Sequence, residues 1–130
     1  MTDDEKIKKA VEYWMAKANE ALDSANAEFA ASRLSFAINR AYYACYYAAT
    51  AIMLRRGKEF TKHSGVRAAV HQHLIKTGEL SEDLGRAYDN LFEERQEGDY
   101  IGFTSFESEQ VVDAIAKAVR FVDQIEILLA

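Results

Sequence analysis

Between Arg33 and Arg56 the chain carries a segment whose apolar residues point in nearly every direction around a helix. Leu34, Ile38, Ala41, Cys45, Ala48 and Ile52 share one narrow face of small and aliphatic side chains. Phe36, Tyr43, Tyr47 and Leu54 form a second face, and Tyr42, Tyr46 and Met53 a third. A helix apolar on so many sides must lie at the centre of its fold or be covered by another subunit. The segment from Ala41 to Leu54 is shorter than a membrane span and contains four tyrosines, so the bilayer is not its solvent. It demands other helices around it.

The rest of the chain supplies them. Proline is absent from all 130 residues and glycine occurs only six times, which favours an all-helical protein. The spacing predicts a first helix from about Asp4 to Phe29, capped by Thr2 or Asp3, with Ile7, Val11, Trp14, Ala18, Leu22, Ala25 and Phe29 on one stripe. Ser32 is expected to cap the second helix, which should stop at Gly57. A short third helix is expected from about Ser64 to Lys76. A fourth, capped by Ser81, should end near Gln96, with Gly98 breaking it and residues 98–105 forming an aromatic loop. The last helix should cover 107–129, burying Val111, Ile115, Ala118, Val122, Ile125 and Leu129. The fold expected is an antiparallel up-and-down bundle of four main helices plus a short one, in a single domain over residues 1–130.

Net charge is −5, which disfavours general attraction to nucleic acid or to an anionic membrane while leaving room for a local basic cleft. One cysteine, Cys45, cannot form an internal disulfide, and the acidic N-terminus is unlike a signal peptide. A cytoplasmic location is expected.

On the fourth helix, Leu84, Tyr88, Leu91 and Arg95 fall on one line, which points Arg95 into the apolar side. A cation there needs partners, because an uncompensated buried charge is costly. Asp99 and Tyr100 follow within reach, so the group could be a site or a structural ion pair. Arg40 lies among Phe36, Tyr43 and Tyr47 and is expected to meet a carboxylate of another helix or the Arg95 cluster; an anion or phosphate ligand is its functional reading. Tyr42, Tyr43, Tyr46 and Tyr47 could stack bases, although tyrosines at helical spacing more often serve a core or an interface. His71 and His73 are two apart on a helix and point to different sides, so no metal set is expected. His63, in the basic loop before Ser64-Gly65, is the one histidine retained as a candidate. No phosphate loop, nucleophile elbow or paired catalytic carboxylates are present, and no cofactor is expected.

Three stretches, taken in order, resemble the HEPN superfamily (higher eukaryotes and prokaryotes nucleotide-binding), and in particular its small stand-alone prokaryotic proteins. They are Ser32-Arg33 leading to Asn39-Arg40-Ala41-Tyr42-Tyr43-Ala44, then Lys62-His63-Ser64-Gly65, then Arg95-Gln96-Glu97-Gly98-Asp99-Tyr100. The resemblance implies a dimerising helical bundle. It also implies the toxin half of a two-component system with a minimal nucleotidyltransferase, many such toxins being metal-independent endoribonucleases. Their active site is an arginine followed, after four to six residues, by a histidine. Here Arg95 takes the arginine's place and Tyr100 stands at the histidine's, with Asp99 beside it. A phenol is a poor proton acceptor near neutrality, so RNA cleavage is expected to be weak or absent. Binding of RNA or nucleotide phosphate by Arg40, Arg95 and His63 needs no such base. A non-catalytic nucleotide-binding or adaptor dimer is the alternative. In either case helix two or helix four should supply the dimer contact, through residues among Tyr42, Tyr43, Tyr46, Tyr47 and Tyr88.

Overall fold

The computed structural model describes residues 1–100 and 105–130, with side chains described for 1–98 and 105–130. Four long helices and one short one follow in order: α1 (Asp3–Ala30), α2 (Leu34–Arg55), α3 (His63–Val70), α4 (Glu82–Tyr100) and α5 (Ser108–Leu129). There is no strand among the described residues. The all-α, up-and-down bundle expected from the periodicity is what the chain forms. No helix among the described residues is long and apolar enough to cross a membrane.

The second helix is central. It touches α1, α3, α4 and α5, and α1 makes its most extensive contact with it. Ala37, Ile38, Ala41, Ala44, Cys45, Ala48 and Ala49 are fully buried. Small side chains at these positions let neighbouring helices approach closely on several sides. Its aromatic face is covered less completely: Phe36 is 59% exposed, while Tyr43, Tyr46 and Tyr47 are half-buried.

Local chemistry sets the helix ends. Thr2 caps α1, its Oγ1 accepting from the Glu5 N–H at 3.2 Å, and Ser81 caps α4 through the Leu84 N–H at 3.2 Å. Ser32 does not cap α2 as expected. It adopts φ 61°, and its N–H bonds back to the Phe29 carbonyl at 2.9 Å, so it closes α1 instead. The turn into α2 is too tight for a right-handed residue there, and Arg33 becomes the flanking position without a side-chain capping bond. After Val70, α3 widens into a π-helical turn over His71–Ile75, in which the Lys76 N–H reaches the His71 carbonyl at 2.9 Å.

Gly98 does not break α4, which continues to Tyr100. A Cβ at Gly98 would lie 3.1 Å from Phe106 Cε2 and 3.8 Å from Ser35 Cβ. The glycine therefore serves close packing of α4 against the segment before α5 and the start of α2. One glycine costs a helix only about 1 kcal/mol, which packing readily offsets. Asp99 and Tyr100 thus share the helical backbone of Arg95, while their side chains lie outside the described residues.

Gly57, which closes α2, sits at φ +75° with no atom within 4 Å of a would-be Cβ. Its requirement is conformational and not spatial. Gly57→Ala should therefore lower stability by about 1 kcal/mol through left-handed strain, read as an earlier urea midpoint at constant slope. An unchanged midpoint would show that the turn relaxes freely.

Candidate functional site

Arg95 lies where the α4 stripe places it, on the inner side with Leu84, Tyr88 and Leu91, and is only 7% exposed. Its guanidinium carbon is 4.8 Å from the centre of the Tyr42 ring and 5.9 Å from those of Tyr43 and Phe92. Aromatic faces attract a guanidinium electrostatically by about 0.5–2 kcal/mol each, which helps offset its removal from water. The helix periodicity of α2 supplies Tyr42 and Tyr43, and that of α4 supplies Phe92 one turn before Arg95.

Arg40 reaches the same place from α2. Its guanidinium carbon lies 4.9 Å from the centre of the Tyr43 ring, so Arg40 and Arg95 share one tyrosine. The expected carboxylate partner from another helix is not what holds it. Nε and Nη2 donate to Asn39 Oδ1 at 3.1 and 2.8 Å. The neighbouring amide orients the fork without neutralising it, and Arg40 remains half-buried, so Arg40→Ala strands no buried acid.

His63 opens α3, and its ring lies flat on Tyr46, with centroids 4.2 Å apart and planes 8° from parallel. Its Nδ1 shares a hydrogen bond of 2.7 Å with the Tyr42 hydroxyl. Tyr42 is fully buried, and burial pushes its pKa well up, so the phenol keeps its proton. The hydroxyl can donate to Nδ1 of a neutral ring or accept from Nδ1–H of a charged one. Burial lowers the His63 pKa, and the nearby Arg95 cation lowers it further.

Arg40, Arg95 and His63 therefore gather on Tyr42, Tyr43 and Tyr46, drawn from α2, α3 and α4. The tyrosines that hold them are legible in the sequence only as faces of α2, and nothing there singles out Phe92. The i, i+4 spacing does put Tyr42 and Tyr46 on one side of the helix, which is the signal that could have linked them. Tyr42 and Tyr88 are fully buried within one chain, which removes them from the expected dimer contact; Tyr43, Tyr46 and Tyr47 retain exposed surface. A larger cleft of about 430 Å³, lined by Trp14, Met53, Leu54, Phe60 and Val66 among others, contains none of the three cationic candidates. No cluster of metal-ligand side chains occurs among the described residues. His71 instead bonds Asp89 at 2.9 Å, and Asp89 also accepts from Arg67 at 2.8 Å, tying α3 to α4.

A family model for the HEPN domain matches residues 11–128. The chain belongs to the HEPN domain family. Among its relatives, the "UPF0332 protein" of Thermotoga maritima is 44% identical over 129 residues, 99% of this chain and 96% of that one. "Putative toxin MJ0142" of Methanocaldococcus jannaschii is 26% identical, covering 92% of this chain and 81% of its own length. The crystal structure of TT1696 from Thermus thermophilus has the same fold, with a TM-score of 0.74 at 18% identity over 89% of this chain and 95% of that one.

The geometry around His63 is testable by titration. Its imidazole should titrate below 6.5, and Arg95→Ala should raise the value while leaving it below 6.5, because burial is the larger cause. Since the folded pKa lies below the unfolded one, folding excludes a proton in that window. The contribution to stability is full above pH 6.5 and is lost as pH falls through the lowered value. NMR of the imidazole nitrogens reads the pKa directly; a value above 6.5 in the wild type would contradict this arrangement.

Proposed function

We propose that this HEPN protein is the toxin-like half of a two-component system, and that Arg40, Arg95 and His63 bind the phosphate of an RNA or nucleotide. The observation that carries the reading is the convergence of two guanidinium groups on the single ring of Tyr43, with an imidazole on the adjoining ring. Both guanidinium groups are thereby presented at one aromatic surface. Arginine forks bind phosphate with two parallel N–H bonds and need no titration to do so. His63 would add a third positive charge on protonation, which a bound phosphate favours.

The toxin naming of its Methanocaldococcus relatives supports the setting, as does the family's association with a minimal nucleotidyltransferase partner. Cleavage is the weaker half of the reading. Tyr100 stands where active relatives carry histidine, and a phenol with its ordinary pKa near 10 is a slow base at neutral pH. The same departure favours, as the second reading, a dimer that holds a nucleotide or a partner without cutting. In either case we place the dimer contact at the exposed N-terminal end of α2, around Phe36.

Arg95→Ala should weaken binding of a mixed single-stranded RNA by at least about tenfold, the usual scale for a charge-assisted bond. Metal-free cutting by the wild type should be slow, and Tyr100→His should speed it. Rapid cutting by the wild type that disappears in Arg95→Ala would replace the binding reading with a catalytic one. Unchanged RNA affinity in Arg95→Ala would remove the site altogether. For the dimer, light scattering at micromolar concentration should report twice the chain mass of 14.7 kDa, and Phe36→Glu should reduce it to that of a single chain.

A further inference from the structure

The aromatic surface does not stop at Tyr43. It continues across α2 onto α1 through Tyr47, Trp14 and Tyr13, with ring centroids 5.6 Å apart for Tyr43–Tyr47, 5.5 Å for Tyr47–Trp14 and 5.2 Å for Trp14–Tyr13. In the other direction Tyr43 meets Tyr46 at 5.9 Å, and Tyr46 carries the His63 ring. Cations accompany the rings along the whole run. The Lys17 ammonium lies 5.8 Å from the centres of both Tyr13 and Tyr47, Arg40 lies over Tyr43, and Arg95 lies over Tyr42.

Midway along, α1 and α2 enclose a cleft of about 80 Å³ lined by Lys17, Glu20, Ala21, Ser24, Arg40 and Tyr47. Two cations and a hydroxyl face one carboxylate in it, which leaves a net positive recess of a size suited to one tetrahedral anion. Arg40 belongs both to this recess and to the group around Arg95, so the two anion positions adjoin. The strip keeps accessible surface: Tyr13 is 55% exposed, and Lys17, Arg40, Tyr43 and Tyr47 are only partly buried, the two α2 tyrosines resting against the core on one side.

We propose that this strip is a track for single-stranded RNA, in which the Lys17–Arg40 cleft takes a second phosphate and Tyr47, Trp14 and Tyr13 offer ring surface to successive bases. The proposal rests on the reading of Arg40, Arg95 and His63 as the first phosphate position, and extends it from one nucleotide to several. Alternating π-surface and cations is the arrangement that holds single strands without reading their sequence, since every base has a stacking face and every linkage a charge. It also reconciles nucleic-acid binding with a net charge of −5: the attraction is confined to one strip.

Trp14 is the one tryptophan of the chain and lies within the strip, so its fluorescence reports occupancy. The test compares a uridine dinucleotide with an octanucleotide, both 2′-O-methylated against cleavage, on wild type, Tyr13→Ala, Lys17→Ala and Arg95→Ala. The wild type should bind the octanucleotide at least about tenfold more tightly, with quenching of Trp14. Tyr13→Ala and Lys17→Ala should remove most of that gain and leave the dinucleotide unaffected. Lys17→Ala should also reduce the salt dependence of octanucleotide binding by about 0.7 in slope, the share of one single-strand phosphate. Arg95→Ala should weaken both ligands. If the octanucleotide binds no more tightly than the dinucleotide, or both α1 variants bind it like the wild type, the track is wrong, and continued sensitivity to Arg95→Ala would leave the first phosphate position standing. If Arg95→Ala alters neither ligand, the underlying reading fails first. If the α1 variants change the mass seen by light scattering and not the RNA affinity, the strip is a contact between two copies of the chain and the proposal is overturned.

Discussion

The fold depends on the burial of α2 by every other helix. Its alanines at 37, 41, 44, 48 and 49 have no accessible surface, and each spares the volume that would hold a neighbouring helix away. A small bundle has little apolar surface to bury, so its stability comes from placing one helix at the centre and using nearly all of that helix. This arrangement has a consequence for chemistry. The tyrosines of α2 that cannot all turn inward collect on the sides of α2 that face α1, α3 and α4, and there they form a surface that is neither core nor ordinary exterior.

Cations settle on that surface for a physical reason. A guanidinium withdrawn from water loses several kcal/mol of hydration, and only electron-rich faces or hydrogen-bond acceptors return part of it. Arg95 has three such rings around it, and Arg40 has Tyr43 on one side and the Asn39 amide at its fork. That amide is neutral, so the Arg40 side chain keeps its positive field. His63 enters the same field as a neutral base, its pKa held down by burial and by Arg95. Its bond to Tyr42 fixes the ring so that protonation occurs without reorientation.

Much of this is legible in the chain itself, and the misses share a cause. The five helices follow from periodicity and from the absence of proline, and the inward turn of Arg95 follows from counting residues back to Leu84. Gly98 reads as a stop because a glycine's conformational freedom is a local property, whereas its contact with Phe106 is not. Ser32 misleads for the same reason: its composition suits a cap, yet the turn geometry requires it at positive φ. For Arg40 the spacing suggests an acid on another helix or the Arg95 cluster; it joins that cluster through Tyr43, and the acceptor at its fork is its own neighbour, Asn39.

By itself, then, the sequence determined the helices, the many-sided apolar character of α2, the inward turn of Arg95 and the set of candidate cations. Each of these is written in spacing along one helix, where the 3.6-residue turn converts sequence separation directly into direction. Only the tertiary structure decided that Arg40 and Arg95 share Tyr43, that His63 lies flat on Tyr46, and that Lys17 extends the same surface onto α1. Those contacts join different helices, and their register is set by how loops close and small residues let helix axes approach, which no periodicity within a single helix records.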